Sequence, residues 1–590
     1  MTEVYDLERW SLKDLFPGYD APEMVEAFKN LEEKINEFEG WREKLNPDMD
    51  VEEFMTCVEQ QEAHTRLAYH IDQFASLWFS EDTQDPNATT FQAKVQQFMS
   101  GLENKTLFFS LWWKELDDAQ ADRFMKVAGE YQYWLRQIRN FKPYTLTEPE
   151  EKVINTKNVT GISALRNLYS AITNRYVFKL EVDGETKELT RGELMSYVQG
   201  PDADLRAKAY QELYRVYGDD GSILGQMYQT MVRDFSNENL EMRKFTQPIS
   251  VRNLANDIPD EVVNTLLEVA EKNSGVFQRF FKFKAKVLGM KKLRRYDVYA
   301  PVASSEKKYD YSQAVNMVFE SFEEFDPRIA KLAKRVFDEK HIDSQVRKGK
   351  RGGAFCSSGD PALTPWVLMN YNGQARDVST LAHELGHAIH AMLAEEHNVF
   401  SFHSSLPLAE TASTFAEMLL IDRLLEEESD DDVRRDILFG QVDDAYATIM
   451  RQIFFALFER QAHQMTAEGA SVDDLAEAYL KNLQTQFGDS IEVGEEFKWE
   501  WVSIPHIYHW PFYVYAYSFG QLLVLALYKQ FKQEGKPFIA RYIELLSAGG
   551  SMPPVDILDR AGIDVRKAEF WQGGFDVISE LIDDLEKAAG

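Results

Sequence analysis

The segment His383-Glu384-Leu385-Gly386-His387 places two imidazoles four residues apart, with a carboxylate between them. Residues at this spacing share one face of a helix, so both rings can reach a single ion. Zinc takes His nitrogens at about 2.0–2.1 Å in a tetrahedral shell, which leaves a third protein ligand and a water to be found. Glu384 lies at the edge of the same face and can accept a proton from that water without binding the metal. The segment therefore predicts a helix that carries a zinc site.

A third ligand is expected downstream of this helix. In one class of such sites it is a His six residues after the second His, but Leu393 stands at that position. Residues 408–417 supply two carboxylates seven apart, after a proline that suits the start of a helix. We predict Glu410 as the third ligand and Glu417 as a hydrogen-bond partner that orients a ligating His. A surface position for Glu417 is the alternative.

Imidazoles and phenols are also concentrated further along the chain. Eight of the eleven histidines lie between residues 383 and 509, and the stretch 505–517 adds four tyrosines. Such groups can donate to the negative oxygen that forms when an amide is attacked, and one donor lowers the barrier by about 2.7–4 kcal/mol. An aromatic core whose hydroxyls bond elsewhere explains the same residues equally well. His390 lies on the same helix face as the two predicted ligands. It either hydrogen-bonds near the metal site or is an ordinary packed histidine.

Most of the remaining chain has the periodicity of helices. Five apolar residues recur at steps of four and three and mark one helical face: Met24, Phe28, Leu31, Ile35 and Phe38. Asp20 is predicted to cap this helix and Gly40 to end it. Helical patterns continue to about residue 175 and resume from about 191. The sequence thus predicts a mainly α fold.

Two interruptions of the helical pattern predict small β-sheets. Residues 178–182 alternate apolar and polar and run into Asp183-Gly184, the signal of a tight hairpin near 176–190. Residues 352–356 and 366–371 are glycine-led or rich in strand formers, and they precede the metal helix, which should begin near Asp377.

The hairpin is also the natural place to divide the chain. We predict an N-terminal helical lobe of residues 1–195 and a second domain of residues 196–590 that carries the zinc site. Because no flexible linker or low-complexity segment separates them, two lobes of one molecule are expected rather than independent domains.

Charge and composition narrow the class of partner. The 590 residues include 97 acidic against 65 basic side chains, a formal net charge of -32, which argues against nucleic acids and anionic membranes as partners. Cys57 and Cys356 are too few for a disulfide framework. The N-terminus lacks the basic start and apolar run of a secretory signal, and no stretch is apolar enough to span a bilayer. We expect a cytoplasmic protein.

Taken together, the motifs resemble those of the thimet oligopeptidase and oligoendopeptidase F family of zinc metallopeptidases. The resemblance is carried by residues 383–390 and 410–417, by residues 296–301 and 369–371, and by the tyrosine-rich stretch after His506. It extends from about residue 200 to the end of the chain, and the bacterial oligoendopeptidase F branch is the most similar.

The resemblance implies a fold and an activity. The fold is a two-lobed helical ellipsoid, with a deep substrate channel and a small sheet beside the zinc helix. The activity is zinc-dependent hydrolysis of internal peptide bonds in short oligopeptides, with one zinc per chain and attack by a zinc-bound water that a glutamate assists.

Motif matching also carries over individual residues. It assigns three metal ligands and one base: His383, His387 and Glu410, with Glu384 as the base. Three further residues match those that stabilise the transition state: Tyr515, Tyr508 and His506.

Two other functions fit parts of the same pattern. A metallocarboxypeptidase would use the same zinc chemistry, but it needs a basic residue for the terminal carboxylate, and the sequence indicates none. A helical peptide-binding protein with an inactive metal site would bind peptides without turnover. Cleavage preference, oligomeric state and the identity of the metal are left open, because similar ligands also hold cobalt or manganese.

Overall fold

The structure is a computed structural model that describes residues 3–302 and 307–588. Met1 and Thr2, the first residues of the N-terminal stretch that was compared above with a secretory signal, lie outside the described residues. Helices dominate the described chain and the strands are short, so the predicted mainly α fold is confirmed. The predicted two-lobed ellipsoid and substrate channel stay predictions.

The first half of the chain contains thirteen α-helices and three strands within the described residues. In chain order they are α1 (Pro22–Glu39), α2 (Val51–Glu81), α3 (Pro86–Glu115), α4 (Asp118–Met125), α5 (Gln132–Asn140), α6 (Glu148–Thr160), α7 (Ile162–Asn174), β1 (Phe178–Val182), β2 (Glu185–Leu189), α8 (Arg191–Val198), α9 (Ala203–Asp219), α10 (Gly221–Phe235), α11 (Pro248–Ala255), α12 (Asp260–Lys272), α13 (Ser274–Val287) and β3 (Leu293–Arg294). A π-helical segment, Ser236–Met242, follows α10.

The second half of the chain contains thirteen further α-helices and four strands within the described residues. Its elements are α14 (Tyr311–Phe325), α15 (Pro327–Asp338), β4 (Ile342–Asp343), β5 (Phe355–Ser357), β6 (Trp366–Leu368), α16 (Ala375–Leu393), α17 (Leu406–Ala409), α18 (Thr411–Glu427), α19 (Asp431–Ala445), α20 (Arg451–Ala467), α21 (Val472–Phe487), β7 (Ile491–Glu492), α22 (Pro505–His509), α23 (Tyr515–Glu534), α24 (Lys536–Ser547), α25 (Pro554–Arg560) and α26 (Ala568–Ala588).

The chain forms two compact units, each assembled from separated stretches of sequence. The first unit takes the chain up to Lys142, then Lys307–Glu427 and Gln530–Asp564. The second takes the segment that begins at Pro143 and precedes Lys307, then Glu428–Lys529 and the chain from Val565 onward. The division into residues 1–195 and 196–590 along the sequence stays a prediction.

The core of the first unit joins its N-terminal helices to a small sheet. Leu31 of α1 and Phe74 of α2 belong to one buried cluster with Trp366 and Leu368 of β6. Helix α1 has the predicted apolar face and ends before Gly40. The predicted cap Asp20 is wrong, because Pro22 occupies the first helical position and makes Ala21 the N-cap, with no side-chain hydrogen bond.

The sheet of the first unit has the order β4-β6-β5, with β5 at an edge. The buried strand β6 pairs parallel with β4 and antiparallel with β5, where Phe355 lies opposite Leu368. The strand predicted over 366–371 is confirmed for its first three residues. The helix α16 begins at Ala375, two residues before the predicted start, and Asp377 accepts a hydrogen bond from the backbone N–H of Gln374 at 3.0 Å.

The second unit contains the predicted hairpin. Strands β1 and β2 pair antiparallel from Phe178 opposite Leu189 to Val182 opposite Glu185. Asp183 and Gly184 both have left-handed backbones, with φ of 55° and 81°, as a two-residue turn of this type requires. The hairpin prediction is therefore confirmed.

Two further observations concern the whole described chain. None of its helices combines the length and the apolar character that crossing a bilayer requires. Cys57, which is buried, and Cys356, which is half-buried, are both free thiols.

Candidate metal centre and active site

Helix α16 carries both predicted histidine ligands on one face. The ring centroids of His383 and His387 lie 4.8 Å apart, with the ring planes at 84°. The helix packs directly on α18 at Gly386, where an added Cβ would lie 2.5 Å from the Cα of Ser413 and 2.8 Å from the carbonyl oxygen of Ala412. Glycine at this position is what allows the two backbones to approach so closely.

The close approach of α18 brings Glu410 to the two histidines. Glu410 stands between α17 and α18, and its Oε2 lies 3.4 Å from the Nε2 of His383 and 3.4 Å from the Nε2 of His387. The three ligand atoms all lie within 4.8 Å of one another. In a tetrahedral shell at about 2.0–2.1 Å, ligand atoms are roughly 3.3–3.4 Å apart. The group therefore fits one zinc-sized cation.

Hydrogen bonds orient each of these side chains. His383 Nδ1 lies 2.5 Å from Glu417 Oε1, which directs Nε2 to the Glu410 side. The ring of His387 hydrogen-bonds the backbone of Ala409. The hydroxyl of Ser413 donates to Glu410 Oε2 at 2.8 Å. Partners of this kind fix the tautomer and direction of metal ligands. The structure places Glu417 next to His383, and a histidine ligand is what Glu417 was predicted to orient.

The carboxyl of Glu384 is buried beside this group. Its side chain is 5% exposed, and its Oε2 has no hydrogen-bond partner among the residues that the structure describes. Burial raises the pKa of Glu384 to about 7, with support from the charges of Glu410 and Glu417. A carboxylate whose pKa lies near neutrality is suited to accept and return a proton.

The charge of Glu417 also raises the pKa of the neighbouring imidazole of His383. Burial alone would lower the pKa of His383, but the hydrogen bond and the charge of Glu417 raise it to about 9. The pKa of His387 is lowered, because burial dominates there. The two rings thus have different electrostatic surroundings on the same helix face.

A cavity of about 380 Å³ in the first unit is lined by Glu384 and by His383, His387 and Glu410, which we call the metal group. Residues 354–356, on and beside the edge strand β5, form one part of its wall. Burial and the charge of Glu384 keep the pKa of the Cys356 thiol well above its usual value, so this thiol stays protonated. The remaining wall includes the loop residues Phe402, His403 and Ser404.

Sequence reasoning missed that loop, because its contribution depends on a distant segment. The backbone N–H of Gly550 donates to the carbonyl of Ser401 at 2.9 Å. A Cβ at Gly550 would lie 2.0 Å from the carbonyl oxygen of His403, and Gly549 has a φ of +51°. The pair Gly549-Gly550 was the available signal, since adjacent glycines mark close backbone approach. His390, a further residue of the cavity wall, is buried and hydrogen-bonds the backbone of Ala409.

The three predicted transition-state residues lie in the second unit, in different surroundings. Tyr515 is fully buried, and its hydroxyl accepts a hydrogen bond from Asn256 Nδ2 at 2.9 Å, so it can still donate its own hydrogen. Tyr508 is also buried, stacks on Tyr169 at 3.9 Å and donates its hydroxyl hydrogen to the carbonyl of Leu224 at 3.2 Å. His506 is half-buried, and burial lowers its pKa.

Comparison with known proteins places the chain among peptidases. Residues 196–577 match the model of Peptidase family M3, and residues 112–178 match that of Oligopeptidase F. Oligopeptidase PepF of Bacillus subtilis (strain 168) is 27% identical over 99% of this chain and 88% of its own length. An oligoendopeptidase F homolog of Borreliella burgdorferi is 28% identical over 99% of both chains.

Solved structures support the same fold. A putative peptidase from Chlamydophila abortus superposes with a TM-score of 0.87 at 24% identity, over 98% of each chain. Oligoendopeptidase-F from Enterococcus faecium superposes with a TM-score of 0.73 at 23% identity, over 96% of this chain and 99% of that one. Since the family match spans more than half of the sequence, we conclude that the chain belongs to peptidase family M3, in its oligoendopeptidase F branch, and is a hydrolase of peptide bonds.

Proposed function

We propose that this protein is a zinc-dependent endopeptidase that hydrolyses internal bonds of short oligopeptides. The observation that carries the proposal is the convergence of His383, His387 and Glu410 within 4.8 Å, beside the buried carboxyl of Glu384 in one cavity. The names of two relatives, an oligopeptidase and an oligoendopeptidase F homolog, support the same class of substrate.

His383, His387 and Glu410 are the proposed ligands of the metal. A divalent cation held there would polarise the scissile carbonyl and lower the pKa of a water towards about 7. Glu417 and Ser413 keep two of these ligands in place through their hydrogen bonds.

Glu384 is the proposed general base and acid. It accepts one proton as the water oxygen bonds to the carbonyl carbon, and it delivers that proton to the amide nitrogen as the carbon–nitrogen bond breaks. The products are a carboxylic acid and an amine, and transfer of the remaining acid proton to the amine leaves a carboxylate and an ammonium group. Proton transfer of this kind typically contributes about 10²–10⁴-fold to the rate.

Tyr515 is the proposed donor to the negative oxygen of the tetrahedral intermediate, with Tyr508 and His506 as further candidates. The hydrogen-bond arrangement favours Tyr515 over Tyr508, because Asn256 donates to Tyr515 whereas Tyr508 donates to the carbonyl of Leu224. A preorganised donor is worth about 2.7–4 kcal/mol of barrier.

The edge strand β5 is the proposed platform for the substrate backbone. It pairs with β6 on one side, and its residues Phe355 and Cys356 line the cavity of the metal group. An extended peptide can add to such an edge as a further strand. Extended binding favours short, unfolded peptides over folded proteins.

The proposed setting is the cytoplasm. Two free thiols suit a reducing compartment, and the net charge of -32 disfavours nucleic acid and anionic lipid as partners.

Metal content and cleavage of a blocked peptide test this function together. The substrate is a fluorogenic oligopeptide with an acetylated N-terminus and an amidated C-terminus, which an endopeptidase cleaves and a carboxypeptidase does not. We expect chelation to remove the activity and zinc to restore it. Glu384→Gln should retain zinc and lose at least about 10²-fold in kcat, as loss of a general base predicts.

The matched control is Glu396→Gln, an exposed glutamate just beyond the end of α16. It should keep zinc and activity. A Glu384→Gln protein with most of its activity would disprove the assigned base, and cleavage of unblocked peptides alone would favour a carboxypeptidase.

A further inference from the structure

A second group of possible metal ligands lies in the first unit, in residues that the proposed active site does not use. One ligand atom each of Asp14, Glu339 and His341 lies within 4.8 Å of the other two. Asp14 precedes α1, whereas Glu339 and His341 lie between α15 and β4. Two distant segments of sequence therefore meet at this group.

The imidazole of His341 is held rigidly and is fully buried. Its ring stacks on Trp366 with centroids 3.9 Å apart and planes at 18°. Its Nδ1 lies 2.7 Å from the carbonyl oxygen of Thr364. A carbonyl oxygen only accepts hydrogen bonds, so Nδ1 carries a hydrogen, and this bond fixes the direction of the other ring nitrogen, Nε2.

The other ring nitrogen faces a carboxylate. Nε2 of His341 lies 3.1 Å from Oδ2 of Asp14. The ligand atoms of Asp14, Glu339 and His341 are thus grouped closely enough to share one cation. A carbonyl that fixes one imidazole nitrogen while the other points to a carboxylate is the arrangement of metal-binding histidines.

Backbone hydrogen bonds hold the contributing segments together. Lys340, between the other two ligands, has a left-handed φ of 57°, and the N–H of His341 donates to the carbonyl of Val336 at 2.8 Å. The N–H of Ser11 donates to the carbonyl of Lys340 at 2.7 Å. The geometry of the group is thus set by two segments that are already paired.

The local charge favours a cation. Arg335 Nε lies 3.8 Å from Glu339 Oε1, but the same guanidinium donates to Glu395 Oε2 at 2.9 Å and to the Thr364 hydroxyl at 3.1 Å. One guanidinium is therefore shared by two carboxylates. Asp14 adds a further carboxylate next to His341 Nε2.

We propose that Asp14, Glu339 and His341 bind a divalent transition-metal cation of the zinc or manganese kind, in addition to the cation of the active site. One imidazole nitrogen with two carboxylate oxygens suits ions of intermediate softness, whereas calcium and magnesium prefer oxygen alone. The bound ion would fasten the N-terminal segment to the end of α15 and so act as a structural staple.

The test counts metal ions in a chain whose first site is disabled. The full-length protein is stripped with a chelator and dialysed against micromolar zinc, and zinc per chain is measured together with the visible absorption of the cobalt(II) form. We expect two zinc ions in the unchanged protein and one in His383→Ala/His387→Ala. Adding Asp14→Asn to that double variant should remove the remaining ion.

Matched variants separate ligand loss from general damage. Asp20→Asn and His397→Gln, made in the same background, remove an exposed carboxylate and a half-buried imidazole from other places and should keep the ion. If His341→Gln does not fold, the exposed side chains of Asp14 and Glu339, which are 54% and 41% accessible, still carry the test.

Three results would overturn the proposal. They are a double variant that binds no zinc, an Asp14→Asn protein that keeps its zinc, and displacement of the ion by a 100-fold excess of calcium or magnesium. The first of these is what a direct hydrogen bond between His341 and Asp14, with no ion, predicts. None of them bears on the active-site zinc, which Glu384→Gln and the blocked peptide test separately.

Discussion

The metal group, which consists of His383, His387 and Glu410, and the aromatic stretch of residues 505–517 both contain histidines, but their environments are very different. The ligands of the metal group are partly accessible, with side-chain exposures of 24–36%, and they line a cavity. Tyr508 and Tyr515 are buried, and both hydroxyls bond within their own unit. Spacing on one helix predicts a shared geometry, whereas an aromatic cluster acquires its roles from tertiary partners.

The two buried tyrosines give the sharpest test of that contrast. If Tyr515 donates to the substrate oxyanion, Tyr515→Phe should lower kcat by about 10²–10³-fold, equivalent to about 2.7–4 kcal/mol, with little change in KM. Tyr508→Phe should change kcat only a few-fold and lower stability by about 1 kcal/mol, since it removes the hydrogen bond to Leu224. Steady-state kinetics and urea unfolding of both variants measure these effects. Equal losses of kcat in the two variants would contradict the choice of Tyr515 over Tyr508 as the oxyanion donor.

The hydrogen bond that His383 Nδ1 donates to Glu417 should matter more for metal affinity than for folding. Glu417→Gln is expected to weaken zinc binding by about 10–100-fold, because the ligating ring loses its charged partner. Competition with a chromogenic chelator measures the affinity. The control, Glu426→Gln, changes an exposed glutamate of the same helix and should leave the affinity unaltered. Unchanged affinity in Glu417→Gln would mean that packing alone orients His383.

Gly386 tests whether close helix packing creates the metal group. Gly386→Ala should cost about 1–3 kcal/mol of unfolding free energy, because the new methyl would lie 2.5 Å from the Cα of Ser413, and it should weaken zinc binding. The matched control is Gly440→Ala in α19, where a Cβ meets nothing within 4 Å. That control should stabilise the protein by about 0.5–1 kcal/mol. A neutral Gly386→Ala would show that α18 can shift without loss.

Glu459 hydrogen-bonds the backbone of the aromatic stretch and should make the stability of the protein depend on pH. Its Oε1 accepts a hydrogen bond from the N–H of Phe512 at 2.9 Å, and burial raises its pKa from 4.5 to about 8. Between these values the folded state holds a proton that the unfolded state has released, so stability falls as the pH rises towards 8.

Glu459→Gln cannot ionise and should remove that fall. We expect the variant to match the unchanged protein at pH 4.5 and to exceed its unfolding free energy by about 1–3 kcal/mol at pH 8. Urea unfolding at several pH values measures the difference. Glu477→Gln, at an exposed position on α21, should show no such trend. A parallel pH dependence in Glu459→Gln would assign the effect to another group.

Local signals of the sequence predicted much of the fold. The apolar steps of α1 and the alternation before Asp183-Gly184 specify a helix and a hairpin, because each depends on neighbours along the chain. The cap at Asp20 failed for an equally local reason, since Pro22 moved the helix start by one residue. The strand predicted to Tyr371 ends at Leu368, a boundary that depends on pairing with β4 and β5.

The proposed site was predictable where its residues are close in sequence. The positions of His383, Glu384 and His387 follow from the period of one helix. Glu410 was predicted from the two carboxylates that follow this helix, after Leu393 had excluded a third histidine ligand. The loop 402–404 was not predicted, because the contact that positions it comes from Gly550 in another part of the chain. The group around His341 was missed for the same reason, since Asp14 lies more than 300 residues from its partners.

By itself, the amino-acid sequence determined the helical class, the hairpin and the spacing of two imidazoles and a carboxylate, because these depend on periodicity and on neighbouring residues. Only the tertiary structure decided that Gly386 lets α18 approach and deliver Glu410, that Tyr508 donates to a backbone carbonyl while Tyr515 accepts from an amide, and that Asp14 meets His341. Those outcomes depend on contacts between segments far apart in the chain, which the packing of the core creates.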